Sequence, residues 1–206
     1  MTFANDGYQV LPNFLETIGI DVNDVEKYLH YRFNFSKEKI ITINPSIKGT
    51  REFAFYADPF MEVILEKCVA PFSDIVGSNL YPSYSYTRKY SHGNELLIHR
   101  DRKSCQISAT LSIAFEGTEI NPICFSESPN KENAVALYLK PGDLCLYRGC
   151  DLWHWRPPIN NDWYLQSFLH FVDADGPYKQ FKYDRRNALG EPEPRISVKL
   201  DTNNQS

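Results

Sequence analysis

Pro82-Ser83-Tyr84-Ser85-Tyr86-Thr87-Arg88-Lys89-Tyr90-Ser91-His92-Gly93-Asn94-Glu95-Leu96-Leu97-Ile98-His99-Arg100-Asp101 has the pattern of two β-strands joined by a turn. Tyr84, Tyr86, Arg88 and Tyr90 alternate with Ser83, Ser85, Thr87 and Lys89, the period of two of a strand. Ser91-His92-Gly93-Asn94 has turn chemistry, and Glu95 to His99 makes a short second strand. Downstream, Ile107, Ala109, Leu111 and Ile113 alternate with Gln106, Ser108, Thr110 and Ser112, so a strand is expected over Cys105 to Phe115. Further strands are expected over Ala134 to Leu139, Leu144 to Arg148, Leu152 to Arg156 and Trp163 to Val172, with Lys140-Pro141-Gly142-Asp143 as a turn. Several short strands parted by turn signals mean a sandwich, jelly roll or barrel.

Upstream of Pro82 the texture is mixed. Asp21 to Phe33 reads as a helix capped by Asp24 or Asn23, with Val25, Tyr28, Leu29 and Phe33 at helical spacing. Lys39 to Asn44 is a β-branched run expected to form a strand. Asp58-Pro59 opens a second helix with an N-cap and Pro at N1, placing Phe60, Val63, Ile64 and Cys68 on one face. Pro71 is expected to break or bend it, because proline lacks the N–H and clashes with the preceding turn. These helices are expected to pack on the outside of a sheet.

The chain of 206 residues suits a single domain: mixed support over 1–80, a β core over 82–173 and an extension over 174–206. That polar extension is expected to cover the site or to mediate self-association as a homodimer, with disorder past Leu200. Aromatics make up 14% of the chain, which suits strands and the wall of a small-molecule pocket. The net charge of −4 supplies no global basic field for nucleic acid or an anionic membrane. The five cysteines, at irregular spacing, do not read as a disulfide framework. With no apolar run of membrane-spanning length and no signal-peptide pattern at the start, a reducing, cytoplasmic-type compartment is expected.

His99-Arg100-Asp101 presents an imidazole and a carboxylate two residues apart, which in a strand point to one face. Alone the triplet is a weak signal. His154 makes it specific, since it follows Gly142-Asp143 and Gly149 at a distance that leaves room for the intervening strands before the chain returns beside His99. Two His and one carboxylate form the facial triad of non-haem iron(II), with open positions for further ligands.

The pattern Tyr86-x-Arg88-x-Tyr90-x-x-Gly93-x-x-Leu96-x-x-His99-x-Asp101, followed by Gly142-Asp143 and His154, resembles the iron(II)- and 2-oxoglutarate-dependent dioxygenase superfamily, most of all its prolyl-hydroxylase-like branch. The run Pro82 to Val172 is also similar to small oxygenases of bacteria and their viruses. The resemblance implies a mainly β fold, a double-stranded β-helix (jelly roll, cupin-like) with flanking N-terminal α-helices. It implies Fe(II) held by His99, Asp101 and His154, with 2-oxoglutarate and O2 as co-substrates. It implies hydroxylation of a C–H bond in a peptide or small-molecule substrate, with release of succinate and CO2. Many such enzymes bind the far carboxylate of 2-oxoglutarate with a cation on the last core strand, whereas Trp163 to Phe168 contains none here. Arg156, two residues after His154, shares its strand face and is the first candidate; Arg88 is the rival, and Tyr90 could add a phenol hydrogen bond.

Other readings of these residues are blander. His170 reads as a core or pocket-wall residue, and His30 and His92 as surface residues. Cys145, Cys150 and His154 are too few to make a zinc site. Trp153 and Trp155 are expected to pack outside the barrel, while Arg100 and Arg102 either stay solvated or line the mouth. Two other functions share the scaffold: a non-catalytic cupin-like binding or sensor module, and an oxidative nucleic-acid demethylase, which would need a basic groove.

Overall fold

The strands form two antiparallel sheets, and the central ones, Ile107–Glu116 and Leu144–Arg148 among them, are buried on both faces over most of their length. The computed structural model describes residues 2–35, 47–48 and 53–192. The larger sheet has the order β1 (Tyr8–Leu11), β9 (Leu144–Arg148), β6 (Ile107–Glu116), β11 (Trp163–Asp173), β4 (Leu80–Ser91) and β3 (Phe53–Tyr56). The smaller has the order β2 (Ile47–Lys48), β5 (Glu95–His99), β10 (Trp153–Arg156), β7 (Ile123–Ser126) and β8 (Val135–Leu137). Chain neighbours such as β5 and β6, or β10 and β11, lie in opposite sheets, the alternation of a double-stranded β-helix.

On the larger sheet one face is apolar. Ile107, Ala109, Leu111, Leu144, Leu146, Leu165, Leu169 and Phe171 pack with residues of α3 (Val22–Phe35) and α4 (Pro59–Val76) in one buried core. Each fully buried Leu or Ile there is worth roughly 1.5–3 kcal/mol. The residues of opposite parity turn to the space between the sheets. In the ladder, Arg88, Gln166 and Ser112 stand side by side, as do Tyr84, His170 and Ser108. The β6–β11 register shifts between Leu165 and Gln166, which pair with Ala114 and Ser112, so Ile113 is an extra residue in β6. Such a bulge reverses the face of everything beyond it.

Several local expectations are revised. Helix α3 begins at Val22, and it is Asp21 whose carboxylate accepts from the Asn23 N–H at 2.8 Å, not Asp24 or Asn23 that caps. Helix α4 does open on Asp58, which accepts from the Phe60 and Met61 N–H groups, and it ends on Gly77 in the left-handed region. Of the two outcomes expected at Pro71, a break or a bent continuation, the helix continues, because burial of Met61, Ile64, Leu65, Cys68 and Phe72 outweighs one lost hydrogen bond. The buried face is thus centred off the one expected, and Val63 is exposed. Strands β1, β3 and β7 were not expected, and the expected strand Lys39 to Asn44 lies outside the described residues.

The segment after β11 is bound back onto the fold as far as it is described. Arg186 is buried and forms a double ion-pair hydrogen bond with Glu62 of α4, at 2.7 and 3.1 Å, and donates to the Ser83 carbonyl at 3.0 Å. Asp184 receives both terminal nitrogens of Arg102, at 3.0 and 2.7 Å, and the Tyr56 hydroxyl at 2.8 Å. Tyr183, Asp184 and Arg185 all have positive φ, which these bonds must hold in place. No described helix is long and apolar enough to cross a membrane.

Candidate metal centre

Strands β5 and β10 pair so that His99 lies directly across from His154. Their rings are 4.3 Å apart between centroids. Strand β5 ends at His99, so Asp101 is not placed by strand parity as its spacing suggested. It is placed by its backbone N–H, which donates to the Gly149 carbonyl at 2.8 Å. The result is the same convergence: Asp101 Oδ1 is 3.7 Å from His99 Nε2 and 3.5 Å from His154 Nε2. All three donor atoms lie within 4.8 Å of one another, a grouping that could hold one metal ion.

The backbone selects the imidazole tautomers. His99 Nδ1 lies 2.8 Å from the Leu97 carbonyl, and His154 Nδ1 lies 3.0 Å from that of Leu152. A carbonyl only accepts, so each Nδ1 carries the hydrogen and Nε2, on the side of Asp101, is the nitrogen a metal would meet. Side-chain exposure rises from 3% at His154 through 13% at Asp101 to 25% at His99, which puts the open side at His99. Burial resists ionisation of Asp101, but His154, with help from His170 and Ser108, brings its pKa down to about 2. Burial likewise opposes charge on His154, and the Asp101 carboxylate outweighs it and raises the pKa. Burial and the neighbouring His154 lower that of His99.

Around these three the packing is tight. Ser108 donates to Asp101 Oδ2 at 2.8 Å and meets His170 Nδ1 at 2.9 Å. A Cβ on Gly149 would lie 2.5 Å from Asp101 Oδ2 and closer still to the Cys105 carbonyl, so only glycine fits. The Tyr147 ring stands 5.0 Å from that of His154.

Farther into the barrel, Arg156 is 1% exposed. Its Nη1 donates to the Asn121 carbonyl at 2.8 Å, while Nε and Nη2 have no partner. Its guanidinium lies over the Tyr164 ring at 5.2 Å. Arg88 is also buried, with Nη1 3.5 Å from the Tyr90 hydroxyl and its guanidinium near the Tyr86 and Tyr90 rings. Gln166, fully buried on the strand that lacks a cation, leaves both ends of its amide without partners, as does the Thr110 hydroxyl. Buried polar atoms without partners are rare and point to a ligand or ordered water. Sequence reasoning sought only a cation on β11 and so passed over Gln166, although its parity with Tyr164 and His170 placed it inside.

The remaining candidates sort simply. His170 is a buried wall residue with its ring 4.5 Å from Tyr84. Arg100 stacks on Trp153 at 4.7 Å, and Arg102 is committed to Asp184. Cys145 is buried and belongs to no donor group. Among the described residues a second donor group, Asp101, Cys105 and His170, shares the same carboxylate. Burial pushes the Cys105 thiol pKa far up, and its sulfur already contacts the Tyr84 hydroxyl at 3.2 Å, so it is a poor ligand.

No family model and no curated protein matches the chain by sequence. Solved structures match by fold. A non-haem α-ketoglutarate-dependent carbocyclase, SnoK from nogalamycin biosynthesis, aligns at a TM-score of 0.66 and 14% identity, covering 92% of this chain and 90% of that one. A prolyl-4-hydroxylase from Pseudomonas putida aligns at 0.59 and 14% identity, over 82% and 94%. HygX from Streptomyces hygroscopicus, solved with nickel and 2-oxoglutarate bound, aligns at 0.60 and 15% identity, over 84% and 85%. The chain therefore has the double-stranded β-helix fold of the 2-oxoglutarate-dependent oxygenases.

Proposed function

We propose that the protein is an iron(II)- and 2-oxoglutarate-dependent dioxygenase that hydroxylates an unactivated C–H bond of a peptide or small molecule. The observation that carries this reading is the convergence of His99 Nε2, Asp101 Oδ1 and His154 Nε2, with both tautomers preset, at the open end of a barrel. Two nitrogens, one carboxylate oxygen and no thiolate suit iron(II), and the exposed side at His99 leaves room for further ligands. The co-substrate fits as well, since Arg156 offers two unused N–H directions to a carboxylate deep in the interior.

Bound iron(II) and 2-oxoglutarate supply the activation of O2, with succinate and CO2 as co-products. The chain's part is to hold and to exclude. Asp101 remains ionised at any physiological pH. Arg156 would hold the far carboxylate through Nε and Nη2, and the unpartnered Gln166 amide and Thr110 hydroxyl would be further hydrogen-bonding groups for a bound molecule, with Arg88 and Tyr90 beside Gln166 and its strand. Tyr147 and Phe125 pack on His154 and keep water from that side. Fold neighbours include both a carbocyclase and a prolyl hydroxylase, so the outcome depends on which substrate bond is presented. The net charge of −4 weighs against a nucleic-acid substrate.

Anaerobic titration with iron(II) and then 2-oxoglutarate tests the reading. A visible charge-transfer band that needs both, and is lost in His154→Ala, is the expected result, with succinate formation lost in His99→Ala and Asp101→Ala while the fold persists. Metal binding without any 2-oxoglutarate turnover would instead mean a binding or sensor module.

A further inference from the structure

We propose that Ser108 and His170 form a hydrogen-bond relay that holds Asp101 with only one oxygen available to a metal, making both positioning residues of the centre. The inference rests on the iron reading above and concerns how that site is kept in shape.

The relay follows from counting protons. Ser108 Oγ lies 2.8 Å from Asp101 Oδ2, 2.9 Å from His170 Nδ1 and 3.2 Å from the Cys105 carbonyl, but a hydroxyl has one hydrogen. The carboxylate and the carbonyl can only accept. The carboxylate bond is shorter and charge-assisted, so it takes the proton. Ser108 then presents lone pairs to His170, and only an Nδ1–H can answer them. This fixes the His170 tautomer, and the Tyr84 ring 4.5 Å away fixes its plane.

The backbone supplies the geometry. Ser108 on β6 and His170 on β11 are partners in the ladder, so their separation is set by strand register and not by flexible loops. On the other side, Gly149 brings its backbone against Asp101 Oδ2 where no Cβ could stand. Oδ2 is thus hydrogen-bonded to Ser108 and walled in by Gly149, while Oδ1 is the oxygen nearest His99 and His154. Freed from the relay, the carboxylate could turn, or offer both oxygens to one ion and occupy a position the co-substrate needs.

The test uses the full chain and Mn(II), a redox-stable probe, with affinity from equilibrium dialysis and ligand geometry from the electron paramagnetic resonance spectrum. Ser108→Ala and His170→Phe, which keeps an aromatic ring against Tyr84, are each expected to weaken Mn(II) binding about 10- to 100-fold and to alter the spectrum. His170→Asn, which keeps an N–H donor near the Nδ1 position, is expected to restore most of both. Wild-type protein that binds no Mn(II) would refute the metal reading itself. Wild-type protein that binds, with Ser108→Ala equal to it in affinity and spectrum, would overturn the relay alone. So would His170→Asn as weak as His170→Phe, since packing rather than the donor would then be what matters. The His170 pair reads the relay even if Ser108→Ala folds poorly.

Discussion

Arg156 is the side chain on which co-substrate binding is expected to turn. A buried guanidinium with two nitrogens, Nε and Nη2, that meet no acceptor is costly unless an anion meets it. Arg156→Met is expected to weaken 2-oxoglutarate binding to the Mn(II)-loaded protein by at least about 10- to 100-fold, the cost of losing even one of its charged hydrogen bonds, while leaving Mn(II) binding intact; calorimetry would read both. Gln166→Leu should also weaken the co-substrate, without loss of thermal stability, because it removes two buried polar atoms that no protein group satisfies. Unchanged affinity in both variants would place the co-substrate elsewhere, with Arg88 the next candidate. The inward parity of Arg156 and Arg88 was legible from the alternation around them. The value of Gln166 and Ser108 was not, because in sequence they are ordinary polar members of alternating strands.

Helix α4 illustrates how far an element departs from its local signals. Its start was legible from Asp58-Pro59 and its continuation past Pro71 was not, since what holds the last turn is contact with residues far along the chain, Phe171 among them. Pro71→Ala is expected to stabilise the fold by about 2 kcal/mol, the regained helix bond less the lost stiffening of the unfolded chain, seen as a higher midpoint in urea. The same helix carries Glu62, whose pairing with Arg186 closes the C-terminal segment onto the sheet. Both side chains are nearly fully buried, so Arg186→Met leaves the Glu62 carboxylate without its cation, with only the Ser85 and Gly190 N–H groups among the described residues to meet it, and should cost about 3–5 kcal/mol. Arg102→Ala, which removes a half-exposed side chain from Asp184, should have a milder effect, read as faster proteolytic cleavage within residues 174–192.

The folded protein as a whole should be acid-sensitive, and its histidines give the direction. Burial lowers the His170 pKa to about 4, so below the ordinary value of 6.5 the unfolded chain takes up a proton that the folded one refuses. Stability is therefore complete above about pH 6.5 and declines as pH falls toward 4. Below that, Asp101, held to about 2, adds a further loss as it too is forced to protonate. His154 works in the opposite sense, since its raised pKa lets the folded state bind its proton first. Urea midpoints at a series of pH values on metal-free protein would check this, and His170→Asn should flatten the upper part of the decline. An unchanged slope in that variant would assign the sensitivity to other groups.

What the amino-acid sequence determined by itself is whatever depends on neighbours a few residues away: the strand alternation from Tyr84 to Tyr90, the turn at Gly93, the cap at Asp58 and the pairing of His-x-Asp with a distant His. Those signals sufficed for the class of fold and to single out His99, Asp101 and His154, which the fold brings together. Long-range pairing settled that Asp101 is held by Gly149 and not by strand parity, that Ser108 meets His170, that Gln166 stands beside Arg88, and that Arg186 reaches Glu62. Each of these joins residues far apart in the chain through register and packing. Strand periodicity says which face a side chain takes, but only pairing between strands says what stands opposite it.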